Sequence, residues 1–128
     1  MKNKIRVIIA EDSPTVSQYL TSLIDETPGM KVIGKAQDGE QAIELVEELK
    51  PDVISMDINM PRMDGLEATR RIKAALPATQ IVMLTIYEDQ AHRADAIAAG
   101  ASAYVPKRML HNELMAVVQP LVENLGVV

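Results

Sequence analysis

A chain of 128 residues, 48% of them apolar, suits one domain with a real core, and because Phe and Trp are absent that core must be aliphatic and Met-rich. The net charge of −5, from 13 basic and 18 acidic residues, gives no sign of direct nucleic-acid contact by this domain, and the lack of cysteine excludes disulfides, thiol catalysis and Cys-type zinc sites. The first residues carry basic side chains but no apolar signal core, and no apolar run nears the about 18 residues of a membrane span, so no membrane partner and a cytoplasmic location are expected.

Five short apolar runs alternate with five helical patterns. The first run, Ile5 to Ala10, has Val7, Ile8 and Ile9 almost unbroken, as suits a strand covered on both faces. Ser13-Pro14 reads as N-cap and first helical residue; Val16, Tyr19, Leu20, Leu23 and Ile24 follow at helical spacing, and Pro28-Gly29 closes the helix. A second strand is predicted near Lys31 to Ala36. Asp38 with Gln41 resembles a capping box and opens a helix bearing Ala42, Leu45, Val46 and Leu49 on one face, ended by Lys50-Pro51.

The third strand, Asp52 to Asp57, carries Val53, Ile54 and Met56. After Met60-Pro61, Asp64 and Glu67 repeat the capping arrangement; Leu66, Thr69, Ile72 and Leu76 are expected to face inward, with Arg70, Arg71 and Lys73 on the solvated side. Ile81 to Leu84 reads as a fourth strand ending at Thr85, followed by an alanine-rich helix from about Asp89 to Ala99 that stops at Gly100. Ala101 to Val105 is a weak fifth strand whose brevity suits a sheet edge. Leu110, Leu114, Val117 and Leu121 mark the last helix, which Pro120 should kink or end.

Strands alternating with helices indicate βαβ units: a doubly wound α/β fold of the flavodoxin-like (βα)5 kind, with a five-stranded parallel sheet in the order 2-1-3-4-5. In such folds the functional crevice lies beyond the carboxyl ends of the strands, at the switch point between strands 1 and 3. There strand 1 ends in Glu11-Asp12, strand 3 in Asp57 and strand 4 in Thr85, and Lys107 follows strand 5. Two carboxylates about 4 Å apart repel by roughly 4 kcal/mol at an effective dielectric near 20, so a proton or a cation must compensate. A hard divalent ion with oxygen ligands, Mg²⁺, fits best, and Lys107 supplies further positive charge.

This set suits the attack of a carboxylate on phosphorus to form an acyl phosphate. Asp57, at the tip of what reads as the most continuously buried central strand, is the best nucleophile, Asp12 the better direct metal ligand, and Glu11 reaches the metal through water. Thr85 and Lys107 meet the remaining phosphoryl oxygens. One Asp at a strand end is usually a cap or turn residue; four polar positions at four strand ends on one edge are harder to dismiss. His92 and His111, without evident partners, read as surface residues, and the methionines as core filler.

These residues fall in a familiar order. Glu11-Asp12-Ser13-Pro14, Pro51-Asp52-Val53 leading to Met56-Asp57, Asn59-Met60-Pro61 before Met63-Asp64-Gly65, Leu84-Thr85, and Gly100-Ala101-Ser102-Ala103-Tyr104-Val105-Pro106-Lys107 resemble the receiver domain of two-component response regulators, the CheY-like type. The resemblance spans nearly the whole chain and implies a single receiver domain over 1–128 with no output domain. It implies that Asp57 is the phosphoacceptor, that Asp12, Asp57 and the backbone carbonyl of Asn59 bind Mg²⁺ with help from Glu11, and that Lys107 contacts the phosphoryl group. Thr85 and Tyr104 would be the switch pair, and Asn59 and Tyr87 would influence dephosphorylation. The implied donor is a phosphohistidine on a histidine kinase or phosphotransfer protein, and the implied effect a shift between two states that acts on an output domain, a partner or a homodimer. The only enzymatic capacity implied is self-phosphorylation and self-dephosphorylation.

The segment from Gly100 to Lys107 is most similar to receivers of the NarL/LuxR type, which implies transcription regulation; Glu11-Asp12-Ser13-Pro14 also resembles receivers of chemotaxis methylesterases. Many receivers have two aspartates where this chain has Glu11-Asp12, and many have proline after the lysine, where this chain has Pro106 before Lys107 and Arg108 after it. Other readings are weaker. An aspartyl-phosphate hydrolase or phosphotransferase of the haloacid-dehalogenase pattern needs an Asp where Asn59 stands. A nucleotide or flavin module needs a Gly-rich turn where Glu11-Asp12-Ser13-Pro14 stands. A receiver-like interaction domain that is never phosphorylated would have no use for Asp57, Asp12, Thr85 and Lys107 together.

Overall fold

A computed structural model describes residues 4–123. Its elements follow the expected alternation: β1 (Ile5–Ala10), α1 (Pro14–Asp25), β2 (Met30–Ala36), α2 (Gly39–Leu49), β3 (Val53–Asp57), α3 (Gly65–Ala75), β4 (Gln80–Thr85), α4 (Gln90–Ala99), β5 (Ala103–Pro106), a 3-10 turn (Lys107–Met109) and α5 (Leu110–Glu123). All strand pairs are parallel and the sheet order is β2-β1-β3-β4-β5, as predicted.

The unbroken apolarity of the inner strands has a direct structural use. Alternate residues point to opposite faces, so both faces need apolar side chains. Ile8, Ile54, Met56, Ile81 and Met83 pack on one face against Ala42 and Val46 of α2, Ala68 and Ile72 of α3 and Ala96 of α4. Val7, Ile9, Val53, Val82, Leu84 and Val105 pack on the other against Leu20 and Ile24 of α1 and Leu110, Leu114 and Val118 of α5. With no Phe or Trp to fill space, Met30, Met56, Met60 and Met83 are all buried.

The helix starts behave as their sequences indicate. Ser13, Asp38, Asp64 and Asp89 each accept a hydrogen bond from the backbone N–H three residues on, at 3.4, 2.8, 2.9 and 3.3 Å. Gly100 closes α4 in the left-handed region. Tight closure there delays β5 by two residues from its expected start: the Ala101 N–H still bonds the Ala96 carbonyl, and Ser102 N–H the Ile81 carbonyl.

Two expectations need correction, and a third needs its ground amended. Pro120 does not end the last helix, which runs to Glu123. Pro120 and Ala116, whose carbonyl it leaves without a donor, are both exposed, so water can satisfy that carbonyl; the side chain of Leu121 lies outside the described residues. Lys73 is not merely solvated: its ammonium donates to the Pro77 and Thr79 carbonyls at 3.1 and 2.7 Å, tying the end of α3 to the start of β4. His92 is a surface residue, as expected, but not a partnerless one: it stacks on Tyr87 with ring centroids 4.0 Å apart and meets the Asp89 carboxylate at 2.5 Å. Tyr87 reaches it through the β4–α4 loop, whose path local spacing does not reveal, whereas Asp89 is the cap of its own helix, three residues before it. The side chain of His111 lies outside the described residues.

Candidate functional site

Strand register assembles the site. Ala10 pairs with Met56, which sets Glu11 level with Asp57; Asp57 pairs with Leu84, one residue before Thr85; Thr85 pairs with Pro106, one residue before Lys107. Four polar side chains from four chain segments therefore meet at the carboxyl edge of the sheet. Gly65 lets the β3–α3 loop close against that edge. Its N–H bonds the Ile58 carbonyl at 2.8 Å, and a Cβ there would stand 2.2 Å from the Asp57 carbonyl oxygen.

Asp57 is only 3% exposed and Glu11 only 2%, whereas Asp12 is exposed. The Lys107 ammonium bridges the two buried acids, 3.1 Å from Glu11 Oε1 and 3.3 Å from Asp57 Oδ2. Asp57 Oδ1 accepts the Asn59 N–H at 3.2 Å, and Glu11 Oε2 accepts the Ser13 N–H at 3.1 Å. Burial, together with the charge of Glu11, pushes the Asp57 carboxyl up to about 7, against the opposing pull of Lys107 and the Asn59 N–H. Burial alone would lower the Lys107 ammonium, yet the facing carboxylates hold it above its ordinary value.

Around this centre Thr85, Asn59 and Tyr104, all singled out by the resemblance, are joined through Tyr87, named with them; the hydrogen bonds that make Tyr87 the hub are what the sequence did not announce. The Tyr87 N–H donates to Thr85 Oγ1 at 2.9 Å, its phenol oxygen accepts from the Asn59 side-chain amide at 3.2 Å, and its carbonyl accepts the Tyr104 hydroxyl at 2.6 Å. Thr85 and Tyr104 are both buried, and burial pushes the Tyr104 phenol up. The Arg93 guanidinium lies 5.2 Å from the Tyr104 ring centroid, a cation–π arrangement. Arg108 pairs with Glu88 through two hydrogen bonds, and Arg62 pairs with Asp38. For the Arg108 pair, the available signal was a pair of opposite charges two and three residues beyond neighbouring strand ends; for the Arg62 pair there was none.

Glu11, Asp12 and Asp57 each bring a carboxylate oxygen within 4.8 Å of the others. Asp12 and Asp57, with Glu11 beside them, would hold a hard divalent ion such as Mg²⁺. Glu11 Oε1 is buried and has no hydrogen bond of good geometry, although the ammonium is near. A set of three carboxylates sharing a single lysine ammonium, all with oxygen donors, fits a hard divalent cation. Glu11 and Asp12, though not Asp57, line a cleft of about 540 Å³ between the start of α1 and the end of β2, together with Ser17, Lys35 and Gln41 among others.

Comparison with known proteins agrees with this geometry. Residues 7–119 match the sequence model of the response regulator receiver domain. The chain is 45% identical over 109 residues to protein-glutamate methylesterase/protein-glutamine glutaminase 4 of Myxococcus xanthus, covering 84% of this chain and 31% of that protein. It is 43% identical over 114 residues to the uncharacterized transcriptional regulatory protein YxjL of Bacillus subtilis, covering 89% of this chain and 52% of that one. It therefore spans about a third to a half of these relatives. Among solved structures, a LuxR-family two-component response regulator from Aurantimonas sp. SI85-9A1 superposes with a TM-score of 0.90 at 32% identity, covering 95% of this chain and 87% of that one.

Proposed function

The chain belongs to the response regulator receiver family, and from that premise we propose that Asp57 is its phosphoacceptor. A phosphohistidine on a histidine kinase or phosphotransfer protein would be the donor. An Asp57 carboxylate oxygen attacks phosphorus; the new P–O bond forms as the P–N bond to the donor imidazole breaks, and its electron pair returns to that nitrogen. Lys107, already 3.3 Å from Asp57 Oδ2, would pair with a phosphoryl oxygen, and the Thr85 hydroxyl with another. Asp12, Asp57 and the Asn59 carbonyl, with Glu11, would hold Mg²⁺, which when bound offsets the charge gathered on the phosphoryl oxygens.

The observation that carries this reading is a buried Asp57 bridged to Glu11 by one lysine ammonium, with an exposed Asp12 beside it. Asn59 has no carboxylate to activate water, which favours a lasting switch over a turnover enzyme. Phosphorylation would draw Thr85 Oγ1 from the Tyr87 N–H toward the phosphoryl group and so move the loop that holds Tyr104. The domain would act as one receiver unit in a cytoplasmic regulator; no helix among the described residues is long and apolar enough to cross a membrane.

Resemblance to LuxR-type regulators favours transcription regulation as the output, through an attached domain or a homodimer. The identity to a methylesterase supports a second reading, a chemotaxis-type receiver. Intact-mass measurement with Mg²⁺ and a small acyl-phosphate donor tests the central claim. Wild type should gain one phosphoryl mass and Asp57→Asn none; equal gain, or no gain by wild type, would reject it.

A further inference from the structure

Lys107 is the cation of the site, yet its own segment is thinly supported. The 3-10 turn it opens has no side-chain cap, and a lysine ammonium rides on a flexible four-carbon stem. Pro106, paired with Thr85, fixes the turn on one side. On the other side stands Arg108. Its Nε and Nη2 donate to the two carboxylate oxygens of Glu88 at 2.8 and 2.7 Å, a fork-on-fork pair, and its Nη1 contacts the Met109 sulfur at 3.2 Å. Glu88 follows Tyr87, the residue that joins Thr85, Asn59 and Tyr104.

We propose that the Arg108–Glu88 pair is a clasp that positions Lys107 toward Asp57 and fastens it to the Tyr87 loop, so that phosphoryl capture and loop movement are mechanically joined. The inference rests on the phosphoacceptor reading above. Arg108 is a positioning residue: it touches neither Asp57 nor the phosphoryl group and acts through its neighbour. The pair is exposed, so its effect is modest and sensitive to salt.

The test measures phosphorylation rate against acetyl phosphate concentration with saturating Mg²⁺, for wild type, Glu88→Gln, Arg108→Gln, Arg108→Lys and the exchange Glu88→Arg with Arg108→Glu. Both glutamine variants should lose about three- to five-fold in the maximal rate, with donor half-saturation and melting temperature unchanged. Arg108→Lys, which keeps the charge but loses the fork, should fall between them and wild type. The exchange should recover at least half of the loss, and in about 1 M salt the differences should vanish. Wild-type rates in the glutamine variants, no recovery in the exchange, or a loss that follows melting temperature would overturn the clasp. A second readout needs no phosphorylation: the two Lys107 Hε protons, inequivalent by NMR when the stem is held, should become equivalent in Glu88→Gln. If wild type takes no phosphoryl group, the phosphoacceptor reading fails and the NMR result alone decides the clasp, which stands if the inequivalence is lost and falls if it is kept.

Discussion

Asp57 places a carboxyl group where folding would rather have none. Its ordinary value of 3.8 is raised to about 7 by burial and by the charge of Glu11. Between those two values the folded chain holds a proton that the unfolded chain has released, so stability falls as pH rises from 3.8 to about 7 and stays low above it. At roughly 1.4 kcal/mol per unit the penalty is bounded at about 4 kcal/mol. Asp57→Asn removes the charge but also weakens the hold on Lys107, so the expected net gain is about 1–3 kcal/mol at pH 8 in chelator-treated buffer. Melting curves should show a rise of about 4–10 °C, smaller at pH 5, where the folded wild type already carries the proton. A variant that melts lower than wild type at pH 8 would mean that the Lys107 attraction outweighs burial and repulsion.

At the scale of elements, the carboxyl-edge loops are fastened to neighbouring helices by side chains. The β3–α3 loop, which carries Asn59, is held by Arg62, whose backbone sits at φ 65° and whose Nε donates to Asp38 Oδ2 at 3.1 Å. Asp38 also caps α2 through Oδ1, and the Gly39 N–H meets the Met63 carbonyl at 3.1 Å. A Cβ on Gly39 would stand 2.2 Å from that carbonyl oxygen, so only glycine permits the approach. Asp38→Asn keeps a capping oxygen and loses the ion pair, whereas Asp38→Ala loses both. Stability should fall by about 0.5 kcal/mol in the first and about 1–2 kcal/mol in the second, read from urea midpoints. Magnesium affinity, followed by tyrosine fluorescence, should weaken in both, because the loop bearing the Asn59 carbonyl loses its anchor. Equal affinity in all three proteins would show that the loop holds its place without the latch.

For the molecule as a whole, the sequence carried the frame and the centre of the site for one physical reason. Parallel strands buried on both faces must be continuously apolar, and their register then brings their ends, Glu11, Asp57, Thr85 and Lys107, to one edge. The fastenings made by Arg62 and Arg108 were not legible, and Tyr87 was named only by resemblance, because all three find their partners through loop paths that no periodicity encodes. The stop expected at Pro120 did not occur for a related reason: whether the helix continues depends on whether the freed carbonyl faces water. The acids at the edge also tie the site to global stability. With Glu11, Asp12 and Asp57 close together, a bound divalent cation stabilises only the folded chain, since the unfolded chain has no such cluster. At a Mg²⁺ concentration 100 times its dissociation constant, stability should rise by about 2.7 kcal/mol, or about 5–10 °C in melting temperature for a chain of this size. The rise should be larger at pH 8 than at pH 5, where a proton on Asp57 competes with the cation. Asp12→Ala, which removes an exposed ligand and disturbs no core contact, should melt near wild type without Mg²⁺ and lose most of the response to it. A wild-type melting temperature that ignores Mg²⁺, or an Asp12→Ala response equal to that of wild type, would remove the cation from this edge of the sheet.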